Sequence, residues 1–597
     1  MILDAQDFAS TPFDYIIVGG GLCGLVVAAR LSEDPDVKVG VIEAGQYLAG
    51  APELLVPGMA GAAVMNPKFD WCFTTVPQRG ANNRVISQPR GKVLGGSSAT
   101  NFLVTGRASS GEYDALEQMG NTGWNWEEML KYFKKAETFH FPDPKLAQEC
   151  QLGCESDYHG SKGPIHSTHP PHVWDLYHPT QKAFETFGIS VNPDPDTGLN
   201  TGFVFTTSCV DPTTATRSFS TTGYYEPNAH RLNLAVTTGA HAAKIIFSEN
   251  RSPLVATGVE YINDGKTYNV SAKREVIISA GTMKTPQFLE LSGIGKKDIL
   301  SKYNITQLLE LPVGENFQDH CYVRTTIQVA GHHVTADKFF DPTFVAQEME
   351  LYQKSQSGGF SRSTHTAYSY LPLSSFMTQN DMKVVLTRAE DELAGNISPS
   401  LLKQYELYKS WLADSSKAQL ELFMHPALVP GDGNDLAPAP DICHMTFLSV
   451  LLHPFSRGSA HIQSADPLAA PAIDPGYLSN PVDLDILARA VLFARKLAQT
   501  DSLKDEVVKI LRPDLSLESV DDIKEYCKNA LSPIYHPVGT AAMLPRDDGG
   551  VVDSHLRVYG TANVRVVDAS VLPVELSAHL QSTLYGLAEK AADLIKL

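Results

Sequence analysis

A glycine-rich turn near the start of the chain constrains the fold more than any other feature. Residues 14–18 read DYIIV, an apolar, β-rich run typical of a fully buried parallel strand. The turn at 19–24 reads GGGLCG and fits the pattern G-x-G-x-x-G, and residues 25–31 after it are rich in Ala and Leu, which favours a helix. This order of strand, tight turn and helix predicts a unit that binds a dinucleotide.

A second strand and the residue that ends it indicate which dinucleotide fits. Residues 38–42 form another short apolar run, which ends at Glu43, 19 positions after Gly24. In such units the glycines let the backbone approach a pyrophosphate, and the helix N-terminus offers it N–H groups and a positive dipole end. A carboxylate at this position accepts a hydrogen bond from a ribose 2′-OH. Glu43 in place of an arginine therefore favours FAD or NAD over NADP.

Length and charge limit the remaining classes of protein. The 597 residues predict several structural units. There are 67 Asp and Glu residues against 48 Lys and Arg, a net charge of −19 that repels nucleic acid and anionic membranes. No apolar stretch approaches the length of a membrane span, and residues 1–13 lack the basic and apolar regions of a signal peptide. We expect no nucleic-acid or membrane partner, and an intracellular location unless this is a processed, secreted form.

The cysteines leave two alternatives open. Cys150 and Cys154 would close a small disulfide loop in a secreted protein, and two free thiols in a helix fit the sequence equally well. Secretion would also make glycosylation acceptors of four Asn-x-Ser/Thr sites, at Asn250, Asn269, Asn304 and Asn396.

A group of four histidines at 159–172 invites a metal-site interpretation. The pair Pro170 and Pro171 prevents a helical i, i+3 arrangement of these side chains, and no Cys, Asp or Glu ligand pattern accompanies them. We therefore expect no metal site. Two segments rich in Asp, Ser, Gly and Pro, at 414–417 and 430–440, are predicted surface loops.

Further motifs run through the chain in a fixed order. Residues 90–101 read RGKVLGGSSATN, and residues 281–295, after a predicted buried strand at 275–280, read GTMKTPQFLELSGIG. The later motifs are VGENFQDH at 313–320, HPVGT at 536–540 and VVDAS at 566–570, which is followed by His579. Together with the N-terminal unit, these motifs resemble those of the glucose-methanol-choline (GMC) oxidoreductases, which are FAD enzymes.

The resemblance implies an α/β fold, α+β overall. A Rossmann-like FAD-binding domain is expected to be interleaved with an antiparallel-sheet substrate domain that helices cover. The FAD-binding domain is expected at residues 1–164, 229–329 and 530–597, the last of which carries the catalytic histidines. The substrate domain is expected at residues 165–228 and 330–529. The chain would thus cross between the domains repeatedly, without a flexible linker or a solenoid-type repeat.

Matching positions imply a set of FAD contacts. They are Gly19, Gly21, Leu22, Gly24, Glu43, Ala44, Trp71, Ser97, Asn101, Phe102, Leu103, Val104, Ala242, Ala280, Asp568, Ala569 and Leu580. Trp71 and Ala242 depend on weaker surroundings, and for Trp71 a buried core aromatic is an equal alternative. Thr100 stands where covalently flavinylated members carry a histidine, so we expect FAD to be bound non-covalently.

Oxidation of an alcohol requires a base for the hydroxyl proton and an acceptor for the hydride. An imidazole, with an ordinary pKa of about 6.5, suits the first task. The resemblance implies that His536 is the base and that His579, just before a predicted helix at 581–595, is its partner. The acceptor that reoxidises the flavin, O₂ or a quinone, stays open. So does an alternative, because some members, hydroxynitrile lyases and a fungal cyclase, keep FAD structurally and use acid/base chemistry alone.

Residues beside His536 indicate the substrate class. GMC sugar oxidases carry an arginine four residues before the catalytic histidine, and here that position is Ser532. The order Ile-Tyr-His at 534–536 is similar to that of aryl-alcohol oxidases, which implies an apolar funnel made by Tyr535 and Phe102. A sugar would leave hydroxyls unpaired there, at about 1 to 3 kcal/mol each. The expected substrate is a primary alcohol on an aromatic, furanic or other small unsaturated group.

Overall fold

The computed structural model describes residues 1–48, 50–249, 251–395, 397–431, 436–439 and 441–597. Asn250, Asn396 and part of the predicted loop at 430–440 lie outside these ranges. Within them the α-helices are α1 (Ala5–Ser10), α2 (Leu22–Leu31), α3 (Pro52–Leu55), α4 (Ser97–Thr100), α5 (Ser110–Gln118), α6 (Trp126–Ala136), α7 (Pro144–Glu149), α8 (Tyr177–Glu185), α9 (Gly281–Leu291), α10 (Lys297–Lys302), α11 (Pro342–Ser355), α12 (Leu373–Phe376), α13 (Gln379–Leu393), α14 (Pro399–Ala413), α15 (Pro481–Leu497), α16 (Val520–Ala530) and α17 (Gln581–Lys596). Among these described helices, none has the length and apolar character that a bilayer crossing requires.

The strands alternate with the helices along the chain. They are β1 (Phe13–Val18), β2 (Val39–Ile42), β3 (Phe73–Thr74), β4 (Ser87–Gln88), β5 (Val104–Thr105), β6 (Glu137–His140), β7 (Ile165–Thr168), β8 (Gly202–Phe205), β9 (Thr207–Ser208), β10 (Val210–Asp211), β11 (Thr216–Arg217), β12 (Leu234–Thr237), β13 (Ala240–Phe247), β14 (Ala256–Asn263), β15 (Lys266–Ile278), β16 (Cys321–Val329), β17 (Ala367–Leu371), β18 (Leu420–His425), β19 (His444–Leu451), β20 (Ser459–His461), β21 (Ala472–Asp474), β22 (Val507–Arg512), β23 (Ser532–Pro533) and β24 (Val564–Val566). The predicted strands at 14–18 and 38–42 and the predicted helix at 581–595 are confirmed to within one residue at their ends. The predicted strand at 275–280 corresponds to the end of the longer strand β15, which begins nine residues earlier.

The first large sheet is the predicted dinucleotide-binding one. It has seven strands in the order β12-β2-β1-β15-β14-β13, and β24 pairs with β15. The pairs β12–β2, β2–β1, β1–β15 and β15–β24 are parallel, and β13–β14–β15 form an antiparallel meander. The strands β12, β2 and β1 are almost wholly buried, as is usual for parallel strands, which explains their apolar runs.

The second large sheet also has seven strands, and every pair in it is antiparallel. Its order is β22-β16-β19-β18-β17-β8, with β23 added beside β16. Helix α15 packs on β16 and β19 and buries most of its side chains. The mixed architecture confirms the expected fold class, with a Rossmann-like sheet and an antiparallel sheet covered by helices.

Two strands fall on the other side of the predicted domain boundaries. The strand β16 lies in segment 229–329, predicted for the FAD-binding domain, yet it pairs with β19 and β22 of the antiparallel sheet. The strand β23 lies in segment 530–597 and pairs with β16. Membership of a sheet depends on which strands pair and not on where the motifs lie. The predicted boundaries at 329 and 530 therefore do not coincide with the points where the chain passes from one sheet to the other. The division into five segments stays a prediction.

The C-terminal helix ties the N-terminal unit to the rest of the molecule. Helix α17 packs against α2 and α6. Arg30 of α2 donates to Glu589 of α17 at 2.7 Å, and the Glu589 side chain is fully buried. A buried carboxylate needs such a cationic partner, because an unpaired charge there would cost several kcal/mol. The last helix is therefore part of the core beside the glycine turn.

Candidate active site and cofactor cavity

The glycine turn joins β1 to α2 by close backbone contact. Gly19 has a φ of +103°, and a Cβ there would lie 2.3 Å from the carbonyl oxygen of Ser279. A Cβ on Gly24 would lie 2.0 Å from the carbonyl oxygen of Gly19. Gly21 precedes α2 without a side-chain cap, so the first N–H groups of the helix are left for a ligand. The three motif glycines thus serve the turn, the ligand approach and the helix packing.

Glu43 is fixed by two backbone donors at the end of β2. Its Oε2 accepts from the N–H of Gly20 at 2.8 Å, and its Oε1 accepts from the N–H of Gly45 at 2.6 Å. Burial raises the pKa of Glu43 to about 7 against the lowering effect of these donors. The carboxylate therefore faces the cavity in one fixed orientation, as a ribose hydroxyl requires.

One large cavity collects the predicted FAD contacts. Its volume is about 840 Å³, and residues of both seven-stranded sheets line it. Every predicted contact except Gly24 lines it: Gly19, Gly21, Leu22, Glu43, Ala44, Trp71, Ser97, Asn101, Phe102, Leu103, Val104, Ala242, Ala280, Asp568, Ala569 and Leu580. Gly24 lies behind the turn, where its lack of a side chain lets α2 pack against β1. Gly24 is therefore a residue of the contact between α2 and β1 and does not line the cavity.

Trp71 combines both of its predicted environments. It lines the cavity and also packs on a small core cluster, with its ring stacked on Phe73 at 5.5 Å between centroids. The ammonium groups of Lys92 and Lys284 lie 4.6 and 5.0 Å from the indole centroid. Such cation–π contacts hold the indole in place at this end of the cavity.

Asp568 connects the last motif to α9. Its Oδ2 accepts from the N–H of Gly281 at 2.9 Å and from the hydroxyl of Thr285 at 2.6 Å. Its Oδ1 accepts from the N–H of Ser570 at 2.9 Å. Two motifs that lie more than 280 residues apart in sequence are thereby joined at one wall of the cavity.

His536 is held by the motif at 313–320. The two segments run antiparallel, with the N–H of Val538 donating to the carbonyl of Gln318 at 2.9 Å and the N–H of Ile534 donating to the carbonyl of His320 at 3.0 Å. The N–H of His536 donates to Oδ1 of Asp319 at 2.8 Å. Tyr535, just before it, adopts a left-handed φ of 71°, which turns the chain so that both side chains line the cavity.

The two predicted catalytic histidines lie side by side. The ring centroids of His536 and His579 are 4.7 Å apart, with the planes at 76°, and both rings line the cavity. Nε2 of His579 lies 3.3 Å from Oε1 of Glu421, a carboxylate that can only accept. His579 lies two residues before the start of α17.

A third histidine fixes the tautomer of His536. Nε2 of His320 lies 2.8 Å from the carbonyl oxygen of Leu452 and must therefore carry the proton. Nδ1 of His320 is left as an acceptor, and it lies 3.0 Å from Nδ1 of His536. His536 consequently donates from Nδ1, and its Nε2 keeps a free lone pair.

The surroundings keep His536 neutral. Burial lowers its pKa well below the ordinary value, and His579, His320 and Arg90 add to this lowering by charge repulsion. Burial likewise lowers the pKa of His320 to about 3. Both rings are thus uncharged near neutral pH, as the tautomer argument requires, and His536 can accept a proton there.

The substrate side of the cavity is more polar than the sequence indicates. Phe102 and Tyr535 both line it, as predicted. However, buried Arg324 of β16 also lines it and donates from Nη2 to the hydroxyl of Ser532 at 3.0 Å. The guanidinium group of Arg324, from the neighbouring strand, thus lies beside Ser532, at the position where GMC sugar oxidases are expected to carry an arginine.

Several lining residues were missed by the sequence analysis. Arg324, Tyr368, His365 and His425 come from or beside strands of the antiparallel sheet, and they belong to no motif. Their contribution depends on strand register, which one sequence does not reveal. His320 lies inside the motif at 313–320, so the sequence already marked it as a residue of interest. The sequence did not reveal its contact with His536.

The histidine group at 159–172 is separated in space. His159 lies beside Asp194, Glu137 and Asp196, whereas His166 lies beside His140 and Asp211. These carboxylates come from distant segments, so the sequence pattern did not reveal them. Arg107 donates to Glu137 at 3.0 Å, which places a cation inside the first group and disfavours an added metal ion.

The structure distinguishes between a disulfide and free thiols for Cys150 and Cys154. All eight cysteines lie in the described residues and are free thiols. Cys150 follows the last residue of α7, while Cys154 lies outside any helix with its Sγ 3.6 Å from Nε2 of His169. The Cys150–Cys154 disulfide is therefore absent from this structure, and the pair does not share a helix.

The residues around the cavity fit FAD. The capless N-terminus of α2 and the glycine turn suit a pyrophosphate, Glu43 suits a ribose, and the volume of about 840 Å³ lies in the upper range for cofactor sites. The cavity extends from the dinucleotide-binding unit to the pair His536 and His579 and to the antiparallel sheet. This arrangement is typical of a flavin-dependent oxidoreductase.

Comparison with known proteins gives the family. Two family models described as GMC oxidoreductase match residues 13–322 and 454–588. The chain belongs to the GMC oxidoreductase family. It is an FAD-dependent alcohol oxidoreductase.

Relatives match almost the whole chain. The dehydrogenase mpl7 of Monascus purpureus is 36% identical over 614 residues, which cover 99% of this chain and 97% of the relative. An FAD-dependent oxidoreductase of Chaetomium thermophilum has a TM-score of 0.89 at 28% identity, covering 98% of this chain and 99% of its own. A fungal aryl-alcohol oxidase has a TM-score of 0.85 at 30% identity, covering 98% of both chains.

Proposed function

We propose that the protein oxidises a primary alcohol on an aromatic, furanic or other small unsaturated group to the aldehyde. The observation that carries this proposal is the free Nε2 lone pair of His536 beside His579 in the cavity. The similarity to an aryl-alcohol oxidase and the rings of Phe102 and Tyr535 on the cavity wall support an aromatic substrate.

The chain's own residues divide the work of proton removal and positioning. Nε2 of His536 accepts the hydroxyl proton, while His579, oriented by Glu421, lies beside His536 at the cavity wall and contacts the bound alcohol. FAD, when bound, supplies the acceptor for the hydride from the carbinol carbon. The sequence-predicted contacts would hold it, with α2 and the glycine turn at the pyrophosphate and Glu43 at the ribose.

An anaerobic flavin-bleaching experiment tests the oxidation. The purified yellow protein, mixed with benzyl alcohol in the absence of O₂, should lose its visible flavin absorbance and yield benzaldehyde. A lyase or cyclase that keeps FAD structurally would leave the absorbance unchanged with every alcohol. Persistent yellow colour across a panel of aryl, furanic and aliphatic alcohols would therefore favour that second candidate.

Glucose should be a poor substrate. Phe102 and Tyr535 offer apolar surface, and Arg324 is already engaged by Ser532 and by the hydroxyl of Tyr322 at 3.0 Å. Unpaired sugar hydroxyls would cost about 1 to 3 kcal/mol each, so kcat/KM for benzyl or furfuryl alcohol should exceed that for glucose at least about 100-fold. Comparable values for the two substrates would contradict the aromatic assignment.

The acceptor is proposed to be O₂ or a quinone. Anaerobically reduced enzyme, mixed separately with air-saturated buffer and with a quinone, distinguishes the two. Rapid return of the yellow colour with one equivalent of hydrogen peroxide would identify an oxidase, whereas reoxidation by the quinone alone would identify a dehydrogenase. Reoxidation by neither would contradict this part of the proposal.

A further inference from the structure

A second pair of histidines lines the cavity away from His536 and His579. His365 lies just before β17, and His425 ends β18. Their ring centroids are 5.0 Å apart, and both side chains line the cavity. The proton transfer described above uses neither ring.

The alternation of β18 sets the distance between the two pairs. Glu421, Phe423 and His425 are spaced by two residues and therefore point to one face of the strand. Glu421 contacts His579 at one end of this row. With a rise of about 3.3 Å per residue, the Cα of His425 lies about 13 Å further along the strand. The second pair therefore lies further along this face of β18 than the contact between Glu421 and His579.

Aromatic side chains line the interval between the two pairs. Tyr368 of β17 stacks on Phe423 at 4.6 Å between centroids with planes at 12°, and it also meets His579 edge-on at 5.7 Å. Phe102 meets His365 edge-on at 5.5 Å. A flat apolar group that extends from His579 towards His425 would therefore have aromatic neighbours along its length.

Polar atoms at this wall lack partners within the described part of the chain. Nδ1 of His425 and the hydroxyl of Tyr368 are buried and make no hydrogen bond to any described residue. Leaving such a group unpaired is unfavourable, so buried polar atoms normally have a partner or meet one in a ligand.

Both imidazoles of the second pair are neutral. Burial lowers the pKa of His425 to about 4, and burial, with His425 and His579 as lesser causes, lowers the pKa of His365 well below its ordinary value. A neutral imidazole offers one donor and one acceptor nitrogen. Such a pair matches an uncharged oxygen, either a hydroxyl or a carbonyl.

We propose that His365 and His425 form a specificity site that selects an aromatic primary alcohol carrying a second oxygen, as hydroxyl or carbonyl, on the side of the ring system remote from the carbinol. This inference rests on the proposed function, which supplies the alcohol and its orientation. It narrows the substrate from aromatic alcohols in general to those with a remote hydrogen-bonding group.

Matched substrate pairs test the site. One pair is 4-hydroxybenzyl and 4-methylbenzyl alcohol, and the longer pair is 6-hydroxy- and 6-methyl-2-naphthalenemethanol; acetyl and isopropyl analogues test the carbonyl. The measured quantity is the second-order rate constant of anaerobic flavin reduction. In the wild type, the oxygen-bearing partner should exceed its apolar isostere by about 10-fold or more in at least one pair, as one or two hydrogen bonds provide.

Variants connect this preference to the histidines. His425→Phe and His365→Phe should bring the ratio close to 1, and His425→Gln, which keeps a donor and an acceptor, should retain part of it. The matched control is His178→Phe, since His178 lies on α8 at the surface with 38% exposure and contacts Glu149. This control should keep the wild-type ratio.

A binding measurement separates this inference from the proposed function. Phenol and toluene, which cannot be oxidised at a carbinol, are titrated into the oxidised holoenzyme and followed by the shift of the flavin spectrum. Phenol should bind at least about 10-fold more tightly than toluene, and His425→Phe should remove the difference. If this difference in binding is found but no alcohol bleaches the flavin, the specificity site is supported and alcohol oxidation is refuted. Bleaching by benzyl alcohol with wild-type ratios near 1 in every substrate pair would refute the specificity site alone.

Discussion

His536 can act as a base only in one of its two neutral tautomers, and one neighbouring side chain determines which. The carbonyl of Leu452 takes the Nε2 proton of His320, so Nδ1 of His320 accepts from His536. This chain of donors leaves Nε2 of His536 available to an alcohol. Because His320 and Leu452 are buried, water does not compete for the contact between them.

Removal of the base should slow the reductive half-reaction strongly. His536→Ala should lower the rate of alcohol-driven flavin reduction by roughly 10² to 10⁴-fold, and His579→Ala by a similar or smaller factor, as for a positioned base and its partner. Anaerobic stopped-flow absorbance measures the rate, and the flavin spectrum verifies that FAD is retained. His178→Ala serves as a surface control. Near-wild-type reduction by His536→Ala would show that the base lies elsewhere.

His320 should act as a positioning residue through His536. In His320→Leu, Nδ1–H of His536 loses its acceptor, which costs about 1 to 3 kcal/mol and favours the other tautomer. The reduction rate should fall about 10-fold or more, with little change in the Kd for the alcohol. His320→Gln restores an acceptor and should recover most of the rate. Equal rates in both variants, or a loss confined to FAD content, would indicate a purely structural role.

At the scale of elements, local patterns and tertiary pairing differ in how well the sequence reveals them. The turn between β1 and α2 could be predicted because glycine spacing, strand composition and helix composition all act within 30 residues. The motif at 313–320 and His536 could be assigned, but their antiparallel contact could not, since 216 residues separate His320 from His536. Arg324, His365 and His425 lie on or beside strands whose register only the folded sheet determines.

The contact between α9 and β20 should make stability depend on pH. Burial alone would lower the pKa of His461, but hydrogen bonds to Glu290 at 2.6 Å and Glu315 at 3.3 Å raise it to about 9. The unfolded value is about 6.5, so the stabilisation is complete below that pH and is lost as pH rises through 9. The Tm of the wild type should exceed that of His461→Gln most at pH 6 and much less at pH 9.5. A Tm difference that stays constant or widens over this range would contradict the assignment.

At the scale of the whole molecule, the cavity is where the two large sheets and the C-terminal helix meet. Its lining runs from Val18 at the end of β1 to Leu584 in α17, and it includes residues of β16, β17, β18 and β19. A ligand that fills it therefore contacts segments from nearly the whole length of the chain. Binding to the folded state alone stabilises that state by an amount that grows with the ratio of ligand concentration to Kd.

FAD should be removable without breaking a covalent bond, and its removal should affect the whole molecule. Thr100 lines the cavity at the position where flavinylated relatives carry a histidine, and its hydroxyl cannot form the histidyl linkage. Acid precipitation should therefore release all yellow colour into the supernatant. Apoprotein prepared under milder conditions should unfold at a lower Tm than the holoprotein, and added FAD should restore the original value, because binding selectively stabilises the folded state. Flavin that stays on the washed polypeptide after acid treatment would contradict the non-covalent assignment. An apoprotein with the same Tm as the holoprotein would contradict the predicted stabilisation of the folded state by FAD.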